Sequence, residues 1–306
     1  MNPERDGLKE FRELWRKRHP KVALFAALLV GGSGAWCLRE KAGRTSSLRG
    51  QLWEVEPVGG AVVVEPVAAE LEGQPGRAAG VGQILRSEAN DATPEDREGV
   101  WAFLREGFGA ATESPDWFVV DEALTWLRGA VAAAPEIESG LMSLGGDRSL
   151  SESLRCFALQ HLGMWAEEHR LDAGVVAQLR AATGELQAGG VGGAALRVLN
   201  RMRASPADEA WLRARVVELV ENVDCSPEQR VAALQIAVEL DAVSVEPIAR
   251  KLVEPSRQVS ERVNAFLALG RLGNAETLRW ISSQTRPVEA LVLEARERAV
   301  RNLATR

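Results

Sequence analysis

The chain has 306 residues, enough for about two domains of ordinary size, and carries 37 Lys and Arg against 43 Asp and Glu, a net charge of −6. The charge is unevenly placed: residues 1–49 hold 11 basic and 5 acidic side chains, whereas residues 50–306 hold 26 and 38. Three Cys and three His in the whole chain leave no material for a Cys-rich metal site or a disulfide framework. The acidity of residues 50–306 argues against the phosphate track that nucleic-acid binding requires.

Residues 1–21 form a basic leader that ends in RKRHPK and reads as cytoplasmic. It is followed by the one long uncharged stretch, residues 22–38, VALFAALLVGGSGAWCL. A bilayer crossing takes about 17 to 25 residues, so this segment is just long enough for a transmembrane signal anchor. It also fits a cleaved signal peptide, because Ser33 and Ala35 occupy the small-residue positions before a cut at Trp36. Both fates stay open, and the anchor is taken forward. Glu4, Asp6, Glu10 and Glu13 disfavour a mitochondrial transit peptide, which is acidic-poor, and Trp36 directly before Cys37 does not fit a lipoprotein signal. Seven basic residues ahead of the segment, from Arg5 to Lys21, against four behind it, Arg39, Lys41, Arg44 and Arg49, favour an N-terminus inside and all later residues outside the cytoplasm. Ala23, Ala27, Gly31 and Ala35 would line one side of a helix, a small-residue stripe that permits homodimer pairing in lipid.

Residues 39–93 are rich in Gly, contain Pro57, Pro66 and Pro75, and lack a sustained helical period, so they read as a linker with little structure. As flexible chain they would span on the order of 40 Å. Thr93 and Pro94 are helix start signals, and the Ser114 with Pro115 and Ser226 with Pro227 pairs repeat the device. From residue 94 to 306 helices follow one another with short breaks.

Within this region an Ala recurs with apolar residues one and four positions on. The six copies begin at Ala123, Ala158, Ala195, Ala233, Ala265 and Ala299, spaced 35, 37, 38, 32 and 34 residues apart. Each period holds two short helices and two turns. Positions i, i+1 and i+4 share a helix face that a single unit cannot bury but a stack can.

The segment ERVNAFLALGRLGN, Glu261 to Asn274, resembles the second helix of the HEAT-repeat superfamily, in particular the short bacterial repeats of the form VRxxAxxALGxLG. EQRVAALQIAVELD from Glu228 and ESLRCFALQHLG from Glu152 are partial copies. The resemblance implies an all-α, right-handed α-solenoid of about six HEAT-like helix pairs over residues 94–306, with the first copy, around Trp117 to Leu127, as a cap. It implies a concave face built from second helices, where helix phase exposes Gln160, Arg197, Arg201, Gln235, Glu239 and Arg271 to a protein partner. The fold is also used by bilin lyases, so a lyase is the enzyme alternative.

Arg155, Arg230, Arg262 and Arg296 each lie three residues before a repeat Ala. They read as structural, and the resemblance suggests pairing with acids of the inter-helix turn, with Asp147, Asp224 and Glu254 at hand. Trp101, Trp117, Trp126, Trp165, Trp211 and Trp280 read as packing residues. The Gly189 to Gly193 cluster lacks the strand a phosphate loop requires and reads as a turn. Cys156 and Cys225 fall two units apart and read as free thiols. His19, His161 and His169 are followed by Pro, Leu and Arg, so the His-Glu pairs of metal-dependent helical-repeat hydroxylases are missing. No catalytic constellation, metal set or cofactor motif is found. The expectation is a single-pass protein of a bacterial inner membrane, its repeat domain periplasmic or otherwise extracytoplasmic, serving as a protein-binding scaffold; a secreted form cleaved after Ala35 is the second reading.

Overall fold

A computed structural model describes residues 77–107, 117–186, 189–203 and 205–306, all within one unit, Gly60–Arg306. The leader, the expected membrane segment 22–38 and most of the linker lie outside the described residues. Among the described residues no helix is long and apolar enough to cross a membrane.

The described chain is all helical. In order it forms α1 (Arg77–Leu85), α2 (Pro94–Gly107), α3 (Trp117–Gly129), α4 (Ala134–Gly146), α5 (Glu152–Glu168), α6 (Ala173–Ala182), α7 (Gly190–Arg201), α8 (Pro206–Glu221), α9 (Pro227–Glu239), α10 (Glu246–Lys251), α11 (Val259–Leu272), α12 (Ala275–Ser283) and α13 (Ala290–Ala304). The starts obey the capping chemistry written in the sequence. Thr93, Ser205 and Ser226 each accept the backbone N–H three residues on and precede a Pro at the first helical position, which removes an orphan donor and fixes φ where the helix begins.

Each even-numbered helix from α2 to α12 packs on the odd-numbered helix that follows it, and each odd-numbered helix from α3 to α11 packs on the next odd one. The result is six helix pairs in sequence, with α3, α5, α7, α9, α11 and α13 forming one continuous layer. This sequential pairing is the arrangement of a helical repeat. All six register alanines, Ala123, Ala158, Ala195, Ala233, Ala265 and Ala299, are buried to 1% exposure or less, and lie where neighbouring second helices meet. The approach is tight between α11 and α13, where a Cβ on Gly270 would stand 2.7 Å from the Ala299 Cα.

Helix α1 begins ahead of the expected first start at Thr93, inside the stretch read as linker. It packs on α2 and α3, buries Val81 and Leu85, and receives support from Trp126, whose indole N–H donates to the Ser87 carbonyl at 2.9 Å. Its own sequence, RAAGVGQIL, is nine residues long and contains two glycines, too short to hold a helix alone; packing against the first pair stabilises it instead.

Candidate functional site

Counting from each register Ala, the residues two and six positions on form two rows across α5, α7, α9 and α11. The first row reads Gln160, Arg197, Gln235 and Leu267; the second reads Met164, Arg201, Glu239 and Arg271. Residues two and six after the Ala are four apart, hence on one helix face. All eight are half-buried or exposed, unlike the alanines beneath them. The six residues expected from helix phase are therefore six of the eight members of one grid.

Cross-helix hydrogen bonds tie the grid together. Arg197 Nη2 donates to Gln235 Oε1 at 2.5 Å, and Gln235 Nε2 donates to Asn264 Oδ1 at 2.9 Å. Asn264 is itself oriented, because its Nδ2 donates to the Ser260 carbonyl at 2.9 Å. One row is thus a relay of neutral amides running from α11 to a guanidinium on α7. In the second row Arg201 meets Glu167 of α5 at 2.7 Å, while Glu239 accepts from Asn200 Nδ2 at 2.6 Å. Burial lowers the affinity of the Arg197 guanidinium for its proton; Glu239 opposes this and Arg201 adds to it. The exposed Arg271 lends its carbonyl to Arg306 at 2.6 Å.

No protein-family model and no curated protein matches the chain.

Asn200, Asn264 and Glu167 belong to this network and were not among the residues singled out from the sequence. Amides and acids on adjacent helices carry no signal of their mutual distance until the stack is assembled. A second cluster, between α3 and α5, was also invisible. His161, only 1% exposed, accepts from Arg128 Nε on Nδ1 at 3.0 Å and donates from Nε2 to Asp121 Oδ1 at 3.0 Å. Those two bonds require the neutral tautomer with the proton on Nε2, and burial holds the His161 pKa below its ordinary value. Next to it, burial and then the charge of Asp121 push the Glu122 carboxyl up to about 7.

The register arginines are structural, but their carboxylate partners differ from those expected. Arg155 pairs with Glu185 at 3.0 Å, Arg230 with Glu261, and Arg262 with Glu289 at 2.5 Å. Each acid precedes or opens the second helix of the following unit. The same guanidinium groups also donate to carbonyls at the end of the first helix of their own unit or in the turn after it, at Gly145, at Asn222 and Cys225, and at Val253. Arg296, in the last unit, reaches among the described residues the Ile281 and Gln284 carbonyls and no carboxylate. Asp147, the partner expected for Arg155, instead accepts from the Ser149 backbone and hydroxyl at 2.8 and 2.6 Å, which holds its carboxyl below the usual range.

The Gly cluster is likewise corrected. Only Gly189, at φ 43°, has turn geometry; Gly190, Gly192 and Gly193 are the first turn of α7. That helix start is closed to anions by Glu152 of α5, whose carboxylate accepts the Gly190 N–H at 2.6 Å. Gly192 stands where four of the other five units carry an arginine. A side chain there would collide with Gln229 of α9, whose Nε2 donates to the Thr183 carbonyl at 2.7 Å.

Trp101, Trp126 and Trp165 are buried, and the Trp117 side chain lies outside the described set. Trp211 and Trp280 are half-buried and lie beneath arginines of the preceding even-numbered helix, Arg180 at 5.0 Å and Arg250 at 5.4 Å. Cys156 and Cys225 are free thiols, pushed by burial up to about 12 and about 11. Among the described residues no group of three or more His, Cys, Asp or Glu could hold a metal ion.

Proposed function

We propose that the chain is a HEAT-like repeat scaffold, tethered to a bacterial inner membrane, that binds a protein partner through the exposed face of its second helices. The observation that carries this reading is the grid, in which mixed polar, charged and apolar side chains recur at fixed register on four adjacent helices and are braced by cross-helix hydrogen bonds. Such a surface suits an extended partner, since each unit adds contact without rearrangement of its neighbours. The register alanines, the six helix pairs and ERVNAFLALGRLGN support a right-handed HEAT-like stack of about six units with this face concave.

The uncharged segment 22–38 behind its basic leader supports an anchor with the N-terminus inside and the repeat domain outside the cytoplasm. The stripe Ala23, Ala27, Gly31 and Ala35 supports pairing of two such chains in the membrane. Alkaline extraction of membranes with N-terminal sequencing tests the tether: an uncleaved chain in the pellet supports it, and a soluble chain beginning at Trp36 replaces it with the secreted form. Simultaneous charge reversal at Arg197, Arg201, Glu239 and Arg271 tests the face. Loss of the crosslinked partner supports the reading, and an unchanged adduct overturns it.

A further inference from the structure

The arginines that link successive units differ in one respect. Arg155, Arg201, Arg230 and Arg262 each reach a carboxylate on a neighbouring element, and Arg128 reaches the Asp121 carboxylate by way of His161. Arg197, in the middle of the second-helix layer, reaches an amide. A half-buried guanidinium without a contacting counter-charge is costly to maintain. A glutamate at position 235 would have the same reach as the glutamine and would cancel the charge. The chain carries Gln235 there instead, fixes its amide through Asn264 and the Ser260 carbonyl, and so aims a neutral acceptor at one Arg197 nitrogen. Arg has five N–H donors in a rigid fork; one is used here, and the guanidinium is held in place for a second partner. Gln160, at the same register on α5, has an amide with no hydrogen-bond partner among the described residues. Half-buried Met164 and Leu267 occupy grid positions on α5 and α11.

We infer that Arg197 is the recognition point for an acidic side chain of the protein partner. The carboxylate takes the free Arg197 donors, the Gln160 amide adds one more, and Met164 and Leu267 pack on the flanking residues of the partner segment. The inference rests on the scaffold reading and gives that face its chemistry: a Glu or Asp set among apolar residues. The apolar rim distinguishes a peptide side chain from a free anion, for which it would be idle. The relay also gives selectivity. A basic side chain at the same point would meet a guanidinium that contacts no carboxylate and be repelled.

The test uses the full-length chain in intact membranes with a photo-crosslinking benzoylphenylalanine at Met164, and with Gln235→Glu or Arg197→Gln added. Gln235→Glu supplies an internal counter-charge but gives up the bond to Asn264 Oδ1, so thermal melting is followed alongside, and in the folded variant adduct yield should fall about tenfold, the worth of one charge-assisted hydrogen bond. Arg197→Gln should lower the yield similarly. The crosslinked partner peptide should contain an Asp or Glu whose amide substitution lowers the yield in the parent chain and has no further effect with Arg197→Gln. A yield unchanged by Gln235→Glu, or a partner peptide without an acid, overturns the acidic-residue assignment and leaves the scaffold standing. No adduct from Met164, nor from a second probe at Glu239, would overturn the scaffold reading itself and this inference with it.

Discussion

The Arg230 guanidinium lies against the Glu261 carboxylate, which belongs to the next unit along the chain, and both side chains are only 3% exposed. The pair joins α9 to α11 while Arg230 also donates to the Asn222 and Cys225 carbonyls at 2.7 and 2.8 Å. Removing either partner strands the other charge away from water. Glu261→Ala and Arg230→Ala should each lower unfolding free energy by about 3–5 kcal/mol, and the double variant should lose less than the sum. Strictly additive losses in chemical denaturation would show that the two side chains do not act as a pair.

Gly192 and Gln229 are coupled in the same way without charge. The missing side chain at Gly192 leaves the path by which Gln229 reaches the Thr183 carbonyl. Gly192→Ala should destabilise the chain by about 1–3 kcal/mol through overpacking. Adding Gly192→Ala to Gln229→Ala should then cost little, because the obstructed amide is gone. A full penalty in the Gln229→Ala background would place the collision elsewhere.

The alternation of helices, their capped starts and the alanine register could be read in the sequence because each is local: a cap spans three residues and a helix face repeats within a turn or two. The same phase argument found Gln160, Arg197, Arg201, Gln235, Glu239 and Arg271, which lie on one face. What could not be read was long-range. Arg230 has acids nearby in sequence, yet its guanidinium is carried past Asp224 to Glu261, and only the distance between stacked units decides that. Helix α1 was missed because nine residues with two glycines are too short for a sustained period, and tertiary contacts through Val81 and Leu85 hold it. The glycines after Gly189 read as a turn because their use, close approach to α9, exists only in the assembled stack.

Ala265 has no exposed surface and sits in the register of the α11 second helix. Ala265→Asp would place a carboxylate there without room or counter-charge, so it should unfold at least the C-terminal units, a loss of about 4–5 kcal/mol or more. Unchanged melting and protease resistance would contradict the proposed register.

Glu122 makes stability depend on pH. Its folded pKa is raised from 4.5 to about 7 by burial and then by Asp121, so the folded chain keeps a proton that the unfolded chain releases between those values. Stability from this group is therefore lost as pH rises through that window. His161 acts in the opposite direction: its depressed pKa costs stability as pH falls below its ordinary value of 6.5. Comparing Glu122→Gln with the parent isolates the carboxyl. The variant should match the parent near pH 4.5, gain on it up to about pH 7, and hold a constant advantage above. An advantage that shrinks with rising pH would contradict the assignment.

The central claim is that the second-helix face, and no other, receives a protein partner. Site-specific photo-crosslinking in intact membranes addresses it directly, with probes at Gln160, Glu239 and Arg271 on the second helices and at the exposed Ala210 and Arg279 on first helices α8 and α12. The account predicts a common partner adduct from the first three positions and none from the last two. Adducts of equal yield from both sets, or from Ala210 and Arg279 alone, would contradict it.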